Sequence, residues 1–512
     1  MQAPGAVCNT GVLPDCNNGR ARRPGRPGVR FGTMPRTAAD PYAHGGVAAP
    51  ESVQGDRDGM PAVVARLREQ RIRTVVLAGC DTNGIMRGKR LRLEELGGVP
   101  DHGMGMCEAI WALLPDEREP VPAPGDHSGW FPGNGYPDVR AVPDPRTVRI
   151  VPWQEATALA LCDFVGADGA PLAVSPRDVL RAVVRRARAM GFEPIVGAEL
   201  ELYVLRESAA TARAKRPSQL EPLEGALRAY GVAAGAPHGG FADRLLDSLA
   251  DLGLPVQGWN AEAGPGQIEI NLRHAPALDA ADHAFLLRAA VREIAGREGL
   301  LATFMPKLRS DWPGSSCHLH LSLDVGGAPV FHDGGATSGM SPIMRCFVAG
   351  AVAGMGEVSA LMAPTPTAYR RFVPHSWAAT TATWSFDNRS SGVRVVYDAA
   401  GIPRLEHRRP GGDANPYLAI AAALACGLHG IEHALDPPAP VCGDVYGPAG
   451  NDAPALPTTL RDATRLLAES DLARDWLGAD FVGHFVALRE AELGAQAAAV
   501  TDWELGRYIG VM

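Results

Sequence analysis

Val196-Gly197-Ala198-Glu199-Leu200-Glu201-Leu202-Tyr203 reads as a β-strand, with β-prone apolar residues throughout and a glycine ahead of the acids. Side chains two apart on a strand share a face, so Glu199 and Glu201 project together. A sheet gains nothing from like charges side by side, because each raises the other's pKa and repels it. A solvated strand edge tolerates such a pair, whereas a metal site requires it. Matching parts elsewhere in the chain favour the metal site.

Downstream, Gly264-Pro265-Gly266 forms a turn with Glu262 before it and Glu269 alternating into a strand after it. Cys317-His318-Leu319-His320-Leu321-Ser322-Leu323 is a clear alternating strand, with His318, His320 and Ser322 on one face. Glu406 lies on another strand, Arg404 to Arg408. The set Glu199, Glu201, Glu262, Glu269, Glu406 and His318 suits hard divalent cations, Mg²⁺ or Mn²⁺, better than zinc. Those carboxylates on one sheet face are prohibitive without metal, and two divalent ions bring them near neutrality. Arg371, Arg389, Arg394, Arg404 and Arg408 then need anions of their own, phosphates or carboxylates, which guanidinium binds bidentately. Carboxylates, two metals and an arginine cluster together describe phosphoryl transfer. Taken singly the signals are weak: a His-x-His on a strand is commonly structural, a lone arginine sits on the surface, and Gly-Pro-Gly is a turn.

Composition bounds the reading. The chain has 512 residues, 46% hydrophobic and 21% charged, with a net charge of −8. That supports a folded globule of two or more units and argues against a general nucleic-acid binder. Nine cysteines without a CxxC pair point to reduced thiols and a cytoplasmic location, and no apolar run is long enough for a bilayer. Residues 1–59 are rich in Gly, Pro, Ala and Arg. They read as a disordered leader or an early-assigned start, with Met34 and Met60 as later candidates.

Pro61 to Gln70 has helical spacing, Arg71 to Ala78 reads as a strand, Asp81-Thr82-Asn83-Gly84 as a turn, and Gly88 to Leu93 as the returning strand. Gly84 to Lys89 faintly suggests a phosphate loop, but its spacing is too short and no Ser or Thr follows the Lys. Residues 101–140 look irregular, and Thr147 to Trp153 is a strand. The expected architecture is α+β, with a small unit over 60–155 and a larger one over 156–512. In the larger unit, Pro176 to Met190 is a helix with arginines on its outer face. Residues 206–222 form a polar loop, and Phe304-Met305-Pro306-Lys307 opens a strand. Phe241 to Leu252, Asp279 to Glu298, Met340 to Met362 and Pro416 to Ala434 are further helices.

In this order the motifs resemble the glutamine synthetase family over nearly all of residues 70–512. The matching pieces are Gly197 to Glu201, Glu262 to Glu269, Phe304 to Lys307, Pro313 to Ser322, Tyr369 to Pro374, Asn388-Arg389-Ser390, Arg404 to Arg408 and Asn415 to Leu418. The resemblance implies an N-terminal β-grasp domain, a catalytic domain on a curved antiparallel sheet flanked by helices, and a homo-oligomeric ring, a dodecamer, with active sites between subunits. It implies Glu201, Glu262 and Glu269 as ligands of a first metal and Glu199, His318 and Glu406 as ligands of a second. It also implies that His320 and Ser322 face ATP and that Arg389 and Arg394 hold phosphates. Arg371 and Arg408 would hold the glutamate carboxylate and the developing phosphoryl charge, with the backbone at Gly314 lining the amino-acid site. The implied chemistry is ATP-dependent phosphorylation of the glutamate γ-carboxylate, followed by attack of an amine on the acyl phosphate.

Two departures bear on the amine. Ammonia-using members carry a flap glutamate after the Arg-x-x-Pro motif. Here Arg371-Phe372-Val373-Pro374 is followed by His375-Ser376-Trp377, and Trp377 stands in that place. Tryptophan accepts no proton, though its face holds a cation. The family's N-terminal ammonia-site aspartate has two candidates, Asp116 and Asp126. Pro313-Gly314-Ser315-Ser316 resembles the γ-glutamylpolyamine synthetase branch. An organic amine, whether polyamine, diamine or small monoamine, is therefore expected as the acceptor, with ammonia as the alternative and a non-catalytic regulatory ring as the remaining reading.

Overall fold

A computed structural model describes residues 59–99, 103–119, 135–225, 229–232, 237–450 and 452–512. The expected leader, apart from Gly59, and Asp126 lie outside those residues. The fold is α+β, built on two sheets.

The smaller sheet has six strands in the order Met86–Arg92, Thr74–Cys80, Thr157–Val165, Asp138–Pro143, Met104–Cys107, with Arg149–Ile150 added to Thr157–Val165. Its centre, Thr157–Val165, lies beyond the boundary expected at residue 155, and it pairs in parallel with Thr74–Cys80. This strand is a nearly unbroken apolar run, Ala158-Leu159-Ala160-Leu161-Cys162, buried on both faces, so alternation does not mark it. Two shorter strands occupy the stretch expected to be irregular. The strand expected over Thr147 to Trp153 shrinks to two residues after a turn at Pro145–Thr147.

The larger sheet has ten strands, and its main path runs Trp384–Phe386, Val393–Tyr397, Pro403–His407, Cys317–Val325, Glu193–Leu205, Gln267–Leu272, Val256–Ala261. All neighbours on this path except the first pair are antiparallel. One face is aliphatic: Val196, Ala198, Leu200, Leu202 and Val204 are each at most 2% exposed and join the core beneath Ala277–Arg297 and Pro416–Glu432. Pro416–Glu432 starts where Asn415 accepts from the Tyr417 N–H, with proline at the first turn, and its alanines let neighbours approach. At Gly350 and Gly430 an added Cβ would lie 2.1 Å from a carbonyl of the facing helix, so the two backbones touch there.

Three expected elements differ. The helix expected over Met340 to Met362 is two, Pro342–Ala353 and Ser359–Met362, broken at Gly354 and Gly356. Phe304 to Lys307 follows a strand, Leu301–Thr303, instead of opening one, and Pro306 has no N–H for a ladder. The polar loop at 206–222 contains a short helix, Ala209–Ala214, capped by Ser208.

Arg177 also departs from expectation. It is 3% exposed and lies inside a knot of acids. Its Nε donates to Asp282 Oδ1 at 2.9 Å, its Nη2 to Asp144 Oδ2 at 2.9 Å and to Asp282 Oδ2 at 2.8 Å, and its Nη1 to Asp163. Tyr417 completes the knot by donating to Asp282 Oδ1 at 2.7 Å. The turn at Asp81 to Gly84 docks the smaller sheet on the helices: Asn415 Nδ2 donates to Asp81 O at 3.0 Å and Arg489 Nη2 to Asn83 Oδ1 at 2.5 Å.

Cys80, Cys162, Cys317 and Cys426 are buried free thiols. Among the described residues no helix is long and apolar enough to cross a membrane.

Candidate active site

The site occupies the polar face of the larger sheet, and register assembles it. His318 lies opposite Glu199 and Glu269 opposite Glu201. His320 lies opposite Glu406, which in turn lies opposite Arg394. Antiparallel neighbours in register present the same face, so residues up to about two hundred positions apart meet there.

Around Glu199 the groups are close. His318 Nδ1 lies 3.5 Å from Glu199 Oε2 and 3.7 Å from Glu406 Oε1. His320 Nε2 lies 2.9 Å from Glu199 Oε1, while Arg404 Nε donates to His320 Nδ1 at 3.1 Å. Nδ1 is thus the acceptor, and the ring proton on Nε2 points at Glu199. Two trios, Glu199 with Glu269 and His318, and Glu199 with His320 and Glu406, each present ligand atoms within 4.8 Å of one another. Glu199 belongs to both. His320, expected to face the nucleotide, stands among the candidate ligands in this arrangement. Burial pushes the Glu199 carboxyl up, but His318 and His320 outweigh it and hold it well below the usual carboxylate range.

The other three acids have weaker partners. Glu201 accepts from the Ser316 N–H at 2.9 Å and the Ser316 hydroxyl at 2.5 Å. Asn260 Nδ2 donates to Glu262 Oε1 at 2.9 Å, and Asn271 Nδ2 to Glu269 Oε1 at 3.3 Å. Burial, with Glu201 and Glu199 nearby, pushes Glu262 up to about 7. Burial and the charges of Glu199, Glu201 and Glu262 push Glu269 up to about 8. These shifts mark a face short of positive charge, lined by hard oxygen donors with imidazole at one end, which fits divalent Mg²⁺ or Mn²⁺.

Glu406 lies on the arginine side. Arg394 Nη1 donates to its Oε2 at 2.8 Å, and Arg408 Nη1 donates to its Oε1. Burial raises this carboxyl, but Arg408, His318, His320 and Arg394 together bring it down to about 2. Asp387, which sequence reasoning passed over, takes the rest of the Arg394 guanidinium. Arg408 Nε donates to Arg389 O at 3.1 Å, so those two residues meet through backbone, and the Arg389 side chain is exposed. Arg371 is 4% exposed and its Nη1 has no hydrogen-bond partner among the described residues, an orphaned buried donor beside Gly314. A Cβ on Gly314 would lie 2.6 Å from Arg371 Cγ, so only glycine lets this backbone approach. Ser322 is half-buried on the same strand face as His318 and His320.

Trp377 is 66% exposed, in the exposed loop Val373 to Trp377, and both His375 and Trp377 have positive φ. Its carbonyl accepts from Arg408 Nη2 at 3.5 Å, which ties the loop to the site. Asp116 is exposed and paired with Arg118 at 2.5 Å.

Gln267 has no role in the sequence reading, yet it joins the parts. Its Nε2 donates to Gly314 O at 2.9 Å and Ser315 Oγ at 3.3 Å and reaches Glu201 Oε2 at 3.4 Å. The signal was available: Gln267 precedes Glu269 by two on one strand and so shares its face. Tyr230 is also at the site, held by its N–H to Ala261 O at 2.8 Å and facing the charges of Glu262, Glu269 and Arg389.

Residues 173–508 match the model for the glutamine synthetase catalytic domain. The chain is 34% identical over 448 residues to a glutamate–isopropylamine ligase of Pseudomonas, covering 87% of this chain and 97% of that one. It is 39% identical over 439 residues to the gamma-glutamylethanolamide synthetase of Streptomyces coelicolor, covering 85% and 92%. A solved GmaS–ADP complex superposes with a TM-score of 0.76 at 27% identity, covering 87% of this chain and 99% of that one.

Proposed function

The chain belongs to the glutamine synthetase family, and from that premise we propose that it is an ATP-dependent glutamate–amine ligase. It joins the γ-carboxylate of glutamate to an organic amine as a γ-glutamylamide. The observation that carries this is the carboxylate and histidine face abutting Arg371, Arg394 and Arg408, with tryptophan in place of a flap acid at 377.

The γ-carboxylate attacks the terminal phosphorus of ATP, giving γ-glutamyl phosphate and ADP. The amine, as its free base, then attacks the acyl carbon, the bond to the phosphate oxygen breaks, and the nitrogen gives up one proton to the departing phosphate or to water. Gly314 backbone and the orphaned donor of Arg371 orient the glutamate, and Arg408 with Arg371 offsets charge growing on the transferred phosphoryl group. Arg389 and Arg394 bind phosphates, and Ser322 lines the nucleotide side with His320. Glu201, Glu262 and Glu269 would hold one divalent ion and Glu199, His318 and Glu406 another. Such ions neutralise phosphate oxygens and align them for in-line transfer.

Trp377 supports an organic amine over ammonia, since it offers an apolar face where a carboxylate would favour ammonium. Two relatives are named for isopropylamine and ethanolamide, so small monoamines lead the candidates, ahead of polyamines. Subunits are expected to assemble in a ring, and the enzyme to work in the cytoplasm. The test is phosphate release by purified protein with glutamate, ATP and Mg²⁺ against a panel of monoamines, diamines, polyamines and ammonium. A small amine should give the highest kcat/KM; ammonium ahead of every organic amine would overturn the assignment.

A further inference from the structure

A cavity of about 240 Å³, lined by none of the candidate metal ligands, lies between the docking turn of the smaller sheet and the helices of the larger unit. At ~30 Å³ per water it holds about eight waters, room for a small organic molecule. Among the described residues its lining carries three arginines, Arg288, Arg292 and Arg489, against one carboxylate, Asp413. Arg288 and Arg489 are 4% and 1% exposed, and the Nε of each is buried without a hydrogen-bond partner among the described residues. Each guanidinium uses Nη1 on a backbone carbonyl, Ala414 for Arg288 and Pro364 for Arg489, and Arg489 Nη2 also donates to Asn83 Oδ1. Arg292, one helical turn from Arg288, stands at the exposed rim.

The cations come from two elements. Arg288 and Arg292 lie on Ala277–Arg297 over the Phe304 ring, at 5.4 and 5.6 Å. Arg489 lies on Ala479–Ala498, 5.0 Å from the Phe485 ring. Both rings line the cavity, together with Leu361 and Leu418. Leaving buried guanidinium donors unpaired is costly, and a ligand with acceptors at two ends and an apolar middle would satisfy both groups.

We propose that this cavity is a second binding site, for a small dicarboxylate, distinct from the catalytic face. It also lies close behind Arg371. A Cβ on Gly411 would sit 2.5 Å from Asp413 Oδ1 and 3.1 Å from Arg371 Nη1, so the carboxylate facing Arg288 also faces the substrate-side arginine. A dianion in the cavity competes with Asp413 for these cations and is thereby coupled to the active site.

Calorimetry on the full chain without nucleotide tests this, with succinate, glutarate and inorganic phosphate as probes. A dicarboxylate should bind, and phosphate more weakly. Arg292→Gln, at the exposed rim, should lower dicarboxylate affinity about tenfold, ~1.4 kcal/mol. Arg292→Lys should keep most of the affinity, and Arg394→Gln on the catalytic face should leave it unchanged. The proposal is overturned if neither dicarboxylate binds or if phosphate binds as tightly. It is equally overturned if Arg292→Gln leaves dicarboxylate affinity unchanged, whatever Arg394→Gln does. No turnover is read, so the outcome is separate from that of the ligase assignment.

Discussion

The strand Glu193–Leu205 has two faces with opposite economies. One carries Val196, Ala198, Leu200, Leu202 and Val204 into a closed aliphatic core. The other carries Glu199 and Glu201 into a crowd of carboxylates, where Glu262 and Glu269 hold protons to about pH 7 and 8. The first face stabilises the fold without help, whereas the second is stable only with positive charge supplied from outside. One strand therefore spends on its active face part of what it gains on its core face.

The largest expected effect comes from removing an acid from the charged face. Glu269→Ala should lower turnover by about three orders of magnitude, ~4 kcal/mol of barrier. Its unfolding midpoint in EDTA should not fall, because a repelled carboxylate has gone. Near-normal turnover, or a clear loss of metal-free stability, would erase the distinction between the faces. Next comes the core face: Leu200→Ala, at 0% exposure, should cost ~2–5 kcal/mol in denaturant unfolding. A cost below ~1 kcal/mol would mean that the aliphatic side is not what supports the acids.

A pH series sharpens the contrast. The Glu262 and Glu269 carboxyls have raised values in the fold, so it binds their protons more tightly than the unfolded chain does. Stability from these groups is complete below the ordinary carboxylate range and is lost as pH rises through about 7 to 8. The unfolding midpoint in EDTA should therefore decline between about pH 4.5 and 8, less so in Glu269→Gln, and saturating Mg²⁺ should flatten the decline. Identical slopes for wild type and Glu269→Gln would contradict the assignment. The smallest effect is expected at the rim of the charged face, where Trp377→Glu should shift preference toward ammonium by about tenfold, ~1.4 kcal/mol, in relative kcat/KM. No shift would separate this loop from amine choice.

How much of this the sequence disclosed follows from where each residue lies. Glu199 and Glu201, or His318 and His320, advertise themselves because alternation survives on a strand with one polar face. Thr157–Val165 hides because both of its faces are buried and no alternation is left to read. Arg177 looked like an outward arginine from its helix alone, and only folding brings Asp144, Asp163 and Asp282 around it. For the same reason motif order names the arginines but not the hold of Glu406 on Arg394 and Arg408, which depends on register between strands.

The Arg177 knot has a mechanical meaning. It ties Asp144 and Asp163 of the smaller sheet to Asp282 beneath the larger one, through hydrogen bonds from a buried guanidinium. Swinging the sheets apart would strand a cation among uncompensated anions, at a cost of several kcal/mol. The two sheets are thus braced against each other from within, and what borders the catalytic face from outside is a short exposed segment, 373–377.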